Sequence, residues 1–336
     1  MFKHMLVPLD GSHLAECVLP HATALSHAFG ARVTLLRVLE RAVTAGRGQS
    51  VDPLGWHLRK AEATSYLDGV GIRLQEVGLR TEQILLEGQA AERIVEFART
   101  HDVGLVLVSS HGRSGLSYWN VSSVVEKIIL SSRVPTMIVR AYLPVTSDLA
   151  GLRYQRLLVP LDCSQRAECA LPLATTLARF HESQLLLAHV VTRPEMPRRA
   201  PLTEEEVELA NRLVERNRLE ASRCLEQLRS DWNNPPSDSD PPTDSDPPQL
   251  YPDVQLRLLV GDSVAAALHE LVKREDVDLV VLSAHGYSGG TRWPYGSVAL
   301  NFIAYGTTPL LIVQDLSQDE LESTRVEMVA REHKGH

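Results

Sequence analysis

The sequence predicts an α/β protein made of two tandem, doubly wound, five-stranded parallel-sheet domains, and three observations carry that expectation. The first is an internal repeat near the start of each half: Met5-Leu6-Val7-Pro8-Leu9-Asp10 returns as Leu157-Leu158-Val159-Pro160-Leu161-Asp162, and Ala15-Glu16-Cys17 with Leu19-Pro20 returns as Ala167-Glu168-Cys169 with Leu171-Pro172. Self-similarity of this kind marks a duplicated structural unit. The second is a later matched block. Ser109, His111, Gly112, Ser114, Gly115 and Trp119 correspond to Ser283, His285, Gly286, Ser288, Gly289 and Trp293, followed by Pro135 and Pro309. The third is length: 336 residues is twice a common domain, and 44% hydrophobic with 23% charged residues is ordinary for a chain that buries a core.

Within the first copy, His4 to Leu9, Arg32 to Leu39, Glu82 to Leu86, Gly104 to Ser109 and Thr136 to Arg140 are short apolar runs rich in Val, Ile and Leu. Such runs suit parallel strands covered by helices on both faces. Between them, His13 to Phe29, Pro53 to Val77, Ala90 to Thr100 and Val121 to Ser131 carry helical periodicity. The second copy repeats the strands at Arg156 to Leu161, Gln184 to Val190, Val254 to Val260, Asp278 to Ala284 and Leu310 to Gln314. Its long helix, Thr203 to Ser230, places Val207, Leu213, Val214, Ala221, Cys224, Leu225 and Leu228 near one side, and Glu204 to Glu206 complement its N-terminal dipole. Five strand-helix units per copy give an open sheet, because a closed barrel of this kind needs about eight.

The domains are expected at 1–142 and 154–315, joined by a linker at 143–153 and followed by a charged tail at 316–336. The tail is expected to be a solvated end, with partner contact as the alternative. The second copy is longer, largely through Asp231 to Leu250, where Pro-Pro pairs beginning at Pro235, Pro241 and Pro247 alternate with Ser/Thr-Asp-Ser-Asp. An acidic tract of this composition is expected to be a disordered loop, a phosphorylation or cation site being the alternative.

A net charge of −8 and a pI near 5.9 give no field for holding a nucleic acid or an anionic membrane. No run of about 18 apolar residues is present, and the first residues enter a strand pattern at once, so the expectation is a cytoplasmic protein without a membrane partner. The four cysteines, Cys17, Cys163, Cys169 and Cys224, have no metal-like spacing. Cys17 and Cys169 occupy matching places and read as small buried residues, a redox or metal role being the alternative.

In doubly wound sheets ligands sit beyond the carboxyl ends of the strands. Asp10 and Asp162 end the first strand of each copy, where a carboxylate is suited to accept from ribose hydroxyls, or else to cap the following helix. Ser283-Ala284-His285-Gly286 follows the fourth strand of the second copy; nine residues later Gly296-Ser297 opens a helix. Small residues let backbone amides approach an anion and the helix N-terminus attracts it, although ordinary turn chemistry also uses such glycines. No Walker lysine follows, so Mg²⁺ would be needed to neutralise a triphosphate.

Taken together, the Val-Pro-Leu-Asp strand end, Ser-x-His-Gly, the Gly-Ser nine residues on and the Pro-Leu-Leu-Ile-Val last strand resemble the universal stress protein family. The resemblance covers about residues 1–141 and 154–315, and implies a Rossmann-like, adenine nucleotide α hydrolase-like fold with ATP in the crevice. Nucleotide-binding members carry G-x-x-G, nine residues, then G-(S/T); the second copy has Ser283, Gly286, Gly296 and Ser297, while the first has Ser109, Gly112, Ser122 and Ser123. The candidate binding residues are therefore Asp162, Ser283, His285, Gly286, Gly296 and Ser297 in the second copy. In the first they are Asp10, Ser109, Gly112, Arg113, Ser122 and Ser123. If position 122 needs positive φ, serine there costs about 1 kcal/mol relative to glycine, which makes the first copy the weaker binder.

The resemblance further implies that His111 and His285 belong to the loop framework. No acidic orienter for either is evident in the sequence, and catalysis is the alternative role. Trp119 and Trp293 are expected to pack the loop rather than stack on adenine. The last strands are expected to pair the two copies with each other or with a second chain as a homodimer. A regulatory, ATP-binding stress-response protein without strong catalysis is the leading expectation, with no catalytic residue and no metal ligand assigned. A slow ATPase and a nucleotide-free dimerisation scaffold are the alternatives; His-x-Gly-His and Lys-Met-Ser-Lys-Ser are both absent.

Overall fold

The computed structural model describes residues 2–40, 53–112, 121–141, 148–194, 203–233, 253–287 and 295–315. The elements of the first repeat are β1 (His4–Pro8), a short 3₁₀ turn (Ala15–Val18), α1 (Leu19–Phe29), β2 (Arg32–Leu39), α2 (Pro53–Glu76), β3 (Thr81–Glu87), α3 (Ala90–Thr100), β4 (Leu105–Ser109), α4 (Ser123–Ser132) and β5 (Thr136–Val139). The second repeat contains β6 (Arg156–Pro160), α5 (Gln165–Glu168), α6 (Leu171–His181), β7 (Gln184–Thr192), α7 (Glu204–Asn233), β8 (Val254–Gly261), α8 (Val264–Arg274), β9 (Leu279–Ser283), α9 (Ser297–Tyr305) and β10 (Leu310–Val313).

Two compact units are present. The first takes the described residues within Met1–Arg153 and Ile303–Gln314. Its strands run β3-β2-β1-β4-β5 in parallel, and β10 joins antiparallel to β5 with Leu310 opposite Ile138 and Ile312 opposite Thr136. The fifth strand of the second repeat is thus counted in the first unit. The second unit, from Tyr154 to Phe302 with Asp315, holds the parallel order β9-β6-β7-β8.

The middle strands are apolar because helices cover both of their faces: Met5, Leu6 and Val7 of β1 and Leu157, Leu158 and Val159 of β6 are fully buried. In each repeat the chain leaves β1 or β6 to one side and returns on the other, so the strand order reverses between β1 and β4 and between β6 and β9. That reversal opens a crevice at the carboxyl ends of those strands.

The helix expected from His13 begins later. Ala15–Val18 forms the 3₁₀ turn and α1 starts afresh at Leu19, with Pro20, which lacks an N–H, in its first turn. A larger difference separates the two long helices. α2 buries Ala63, Leu67, Val70, Gly71 and Leu74, whereas α7 buries Ala221 and Leu225 and leaves Val207, Leu209, Leu213 and Leu219 exposed. The apolar side expected along all of α7 is therefore confined to its later half. Its exposed face carries pairs such as Arg212–Glu208 and Arg216–Glu220, which support a helix locally by a few tenths of a kcal/mol each.

Among the described residues, no helix is long and apolar enough to cross a membrane. The core of the first unit also contains a titratable group, His21 of α1, whose burial pushes its pKa down to about 4. The unfolded chain takes up this proton near pH 6.5 and the folded chain only near pH 4, so the stability present above pH 6.5 is lost as the pH falls towards 4. The loss through this one residue is about 3 kcal/mol. The expected outcome is that His21→Gln flattens the slope of unfolding free energy against pH in that window by about one proton, about 1.4 kcal/mol per pH unit, in urea titrations at several pH values.

Candidate functional site

In the second unit the ladder of β6 continues one residue past the strand, with the Leu161 amide donating to the Ala188 carbonyl at 2.8 Å. Asp162 then turns the chain: its Oδ1 accepts from the Ser164 amide at 3.1 Å and from the Ser164 hydroxyl at 2.6 Å. Ser164 in turn caps α5 by accepting from the Ala167 amide. The helix cap considered for Asp162 thus falls to Ser164, while Asp162 reaches across the crevice. Its Oδ2 accepts from the Tyr287 amide at 2.5 Å, in the loop after β9.

Gly286 explains why the two segments meet. A Cβ on Gly286 would lie 2.2 Å from Asp162 Oδ2, so a glycine is demanded by the carboxylate itself. The first repeat reproduces the arrangement. Asp10 Oδ1 accepts from the Ser12 amide at 2.9 Å and hydroxyl at 2.6 Å, and a Cβ on Gly112 would again lie 2.2 Å from Oδ2. Asp162 is exposed and Asp10 half-buried. Each carboxylate oxygen has two acceptor positions, so Asp162 Oδ2 keeps one beyond the Tyr287 amide.

The serines that begin the two loops are buried and engaged within them. Ser283 Oγ donates to the His285 carbonyl at 2.6 Å; Ser109 Oγ lies 2.7 Å from the His111 carbonyl and 2.9 Å from that of Leu14, sharing one hydrogen. Cys17 Sγ donates to Ser109 Oγ at 3.3 Å, and burial pushes the Cys17 thiol up to about 11. Burial also raises the Cys169 thiol, the first of its causes. Both cysteines thus behave as protonated packing groups.

His285 has an acidic partner that sequence reasoning missed. Asp315 Oδ1 lies 2.8 Å from His285 Nδ1 and accepts from the His285 amide at 3.1 Å, and both side chains are buried. Arg166 stands 3.8 Å from Asp315 Oδ2. Counting from Pro135 and Pro309 places Ala141 where Asp315 stands, so the repeat itself held the signal: a carboxylate after one last strand and none after the other. In the first repeat His111 Nδ1 meets Ser110 Oγ at 3.1 Å, and that hydroxyl accepts from the Ala141 amide. Burial, then the charge of Arg140, lowers the His111 pKa.

The second small residue of each motif makes one bond in common. The Gly296 amide donates to the Ala284 carbonyl at 2.7 Å, and the Ser122 amide to that of Ser110 at 2.9 Å. Ser122 has φ −65° and its side chain accepts from the Val125 amide, so it is the N-cap of α4. The cost foreseen for a serine with positive φ therefore does not arise, and the residue stabilises its helix. A Cβ on Gly296 would lie 3.4 Å from the Ala284 carbonyl oxygen, which a methyl group tolerates. Ser123 and Ser297 are the exposed first residues of α4 and α9. Arg113, Trp119 and Trp293 lie outside the described residues.

The repeats differ most beside the β1 and β6 ends. Pro8 pairs with Leu36 and Pro160 with Ala188, which makes Arg37 and His189 equivalents. Arg37 is buried against Gly11, whose φ is +83° and whose Cβ would meet the guanidinium at 3.0 Å; it also lies 5.2 Å from the centre of the Tyr66 ring on α2. In the second repeat, Cys163 holds the left-handed position with φ +62° and is joined by a disulfide to Cys224 of α7, with Cα atoms 6.3 Å apart. His189 Nδ1 lies 2.9 Å from the Leu161 carbonyl and 3.8 Å from Cys163 Sγ. Burial lowers the His189 pKa. Among the described residues there is no group of three or more His, Cys, Asp or Glu that could hold a metal.

Comparison with known proteins agrees with this geometry. The profile of the universal stress protein family matches residues 1–140 and 153–314. Universal stress protein MJ0577 of Methanocaldococcus jannaschii is 29% identical over 155 residues, covering 42% of this chain and 96% of that protein. Universal stress protein YxiE of Bacillus subtilis is 30% identical over 149 residues, covering 42% of this chain and all of that protein. Each therefore matches about one repeat. The crystal structure of a universal stress protein from Archaeoglobus fulgidus superposes with a TM-score of 0.61 over 93% of this chain and 98% of that one, at 16% identity, a likeness of fold. With a duplicated motif set, a strand order that reverses at the crevice and a family match over both repeats, the chain belongs to the universal stress protein family.

Proposed function

We propose that this chain binds ATP with Mg²⁺ in the crevice of its second repeat and acts as a regulatory stress-response protein rather than as a strong catalyst. The observation that carries the reading is the Asp162–Gly286 contact, which brings a carboxylate and a loop amide to the strand-order reversal, the place where doubly wound sheets take ligands. Asp162 Oδ2 has an acceptor position for a ribose hydroxyl. Gly296 and the exposed Ser297 leave the N-terminus of α9 open to phosphate oxygens. The metal, held through those oxygens and at most one or two carboxylates, would supply the neutralising charge that a Walker lysine supplies elsewhere.

The first repeat is the weaker half in this reading. Its reason is now Arg37, which fills the space beside Gly11, together with a capping serine where the second repeat has Gly296. The burial of His285 and Asp315 supports a framework role for that pair, hence binding without rapid turnover. The reading includes a cytoplasmic setting and pairing through the last strands of the repeats, which the antiparallel ladder of β10 on β5 supports.

Nucleotide extraction from purified protein is expected to release about one adenine nucleotide per chain, and Mg-ATP is expected to raise the melting temperature of stripped protein. Protein that carries no nucleotide and shows no thermal shift with Mg-ATP would overturn the reading.

The two glycines of the loop separate folding from binding. Gly286→Ala drives a methyl group into Asp162 Oδ2, and the carboxylate escapes only by leaving the Tyr287 amide, so the variant is expected to lose about 1.5–3 kcal/mol of unfolding free energy in urea. Combining it with Asp162→Ala is expected to recover part of that loss. Gly296→Ala should lose less than about 1 kcal/mol, whereas Gly296→Asp, which places a negative charge beside the α9 N-terminus, should weaken Mg-ATP binding at least about tenfold by calorimetry. Equal affinities for Gly296→Asp and the parent protein would remove the phosphate assignment.

A further inference from the structure

We propose that Cys163 and Cys224 form a thiol–disulfide exchange site, taking a small thiol or a protein dithiol as reductant, and that its opening releases α7 from the end of β6. The proposal stands beside the nucleotide reading without resting on it.

Three observations carry it. The first is place: Cys163 follows Asp162 directly at the mouth of the crevice, and both cysteines are half-buried, so neither residue is closed off from solvent. The second is the neighbouring imidazole. A carbonyl only accepts, so the contact with Leu161 O puts the hydrogen of His189 on Nδ1, and that N–H also faces Cys163 Sγ at 3.8 Å. A donor beside one sulfur makes that sulfur the better leaving thiolate, which directs attack to the other.

The third is the weak docking of α7. Where α2 is held by five buried residues, the described part of α7 buries Ala221 and Leu225, one on each side of Cys224 along the same face. The covalent bond therefore tethers this helix where its fully buried apolar contact is small.

The chemistry balances without any group beyond the reductant. An incoming thiolate attacks Cys224 Sγ, the bond to Cys163 breaks, and its electron pair stays on Cys163 as a thiolate next to the His189 N–H. A second thiolate then attacks the reductant sulfur of the mixed disulfide, freeing Cys224 as a thiolate. Two thiols are oxidised to one disulfide and the protein disulfide is reduced to two thiols, each of which takes a proton from solvent.

The test uses the full chain under native conditions. Air-oxidised protein and protein treated with glutathione are labelled with a maleimide and digested, and the cysteine peptides are assigned by mass. In parallel, limited trypsin cleavage is followed at the exposed Arg212, Arg216 and Arg218 of α7. The expected result is that Cys163 and Cys224 label only after glutathione treatment, that cleavage in α7 then rises at least about tenfold, and that oxidised glutathione restores both signals.

Cys224→Ser is expected to show the fast cleavage without any reductant; should that variant not fold, the reversible cycle of the parent protein decides alone. A bond that opens only in denaturant, or one that opens while cleavage of α7 stays within about twofold, would overturn the proposal. So would finding both cysteines free in the air-oxidised protein.

Discussion

The contact on which the crevice depends is that between a strand-end carboxylate and a glycine of the facing loop, at the same 2.2 Å in both repeats when a Cβ is imagined on Gly112 or Gly286. It constrains three things together. It fixes the glycine, because any side chain would displace the carboxylate; it fixes the turn after β1 and β6, because the other carboxylate oxygen is held by Ser12 or Ser164. It also sets the separation between the two strand ends at the reversal of strand order. A charge-assisted hydrogen bond of this kind is about twice as strong as a neutral one, so the loop after β9 is anchored where a ligand would meet it. The buried His285–Asp315 pair anchors the same loop from beneath.

Around that constant frame the repeats have diverged in chemistry more than in fold. Arg37 and Tyr66 stand in the first repeat where the second has His189 and a disulfide. A serine cap opens α4 where Gly296 precedes α9. A guanidinium buried beside Gly11 and a ring is a fixed charge, and a glycine before a helix carries no side chain at all. The first arrangement sets a fixed cation beside the turn and the second a disulfide and a neutral imidazole contact, so a duplicated fold has not kept duplicated chemistry.

Much of this was legible because strands and glycines obey local rules. β2 and α3 fall at their expected residues, since each starts just after a glycine, Gly30 or Gly88, and then keeps one pattern throughout, Val- and Leu-rich in β2 and helically periodic in α3. What local rules did not reveal were contacts between distant residues. Asp315 lies thirty positions from His285 and follows the last strand, where a carboxylate reads as the start of a charged tail. Cys163 and Cys224 are 61 apart and share no short motif, so their pairing follows only from the fold. Ser122 shows the reverse error: glycine in a related motif suggested a left-handed residue, yet the position is extended and asks only for a helix cap. A glycine can mark needed space rather than needed φ, and sequence alone does not separate the two.

The disulfide also bears on why the second repeat tolerates so exposed a helix. Burying a leucine or valine side chain contributes about 1.5–3 kcal/mol, and α2 buries Leu67, Val70 and Leu74 where α7 buries Leu225. Among the described side chains that fully buried difference is several kcal/mol. In the chain-entropy account, closing a loop of 61 residues contributes about 4 kcal/mol by restricting the unfolded chain, the same order. A covalent bond thus stands beside a reduced apolar contact, and it has a physical consequence that packing does not have. Hydrophobic docking responds to temperature and solvent, whereas a disulfide at the rim of a crevice responds to electrons.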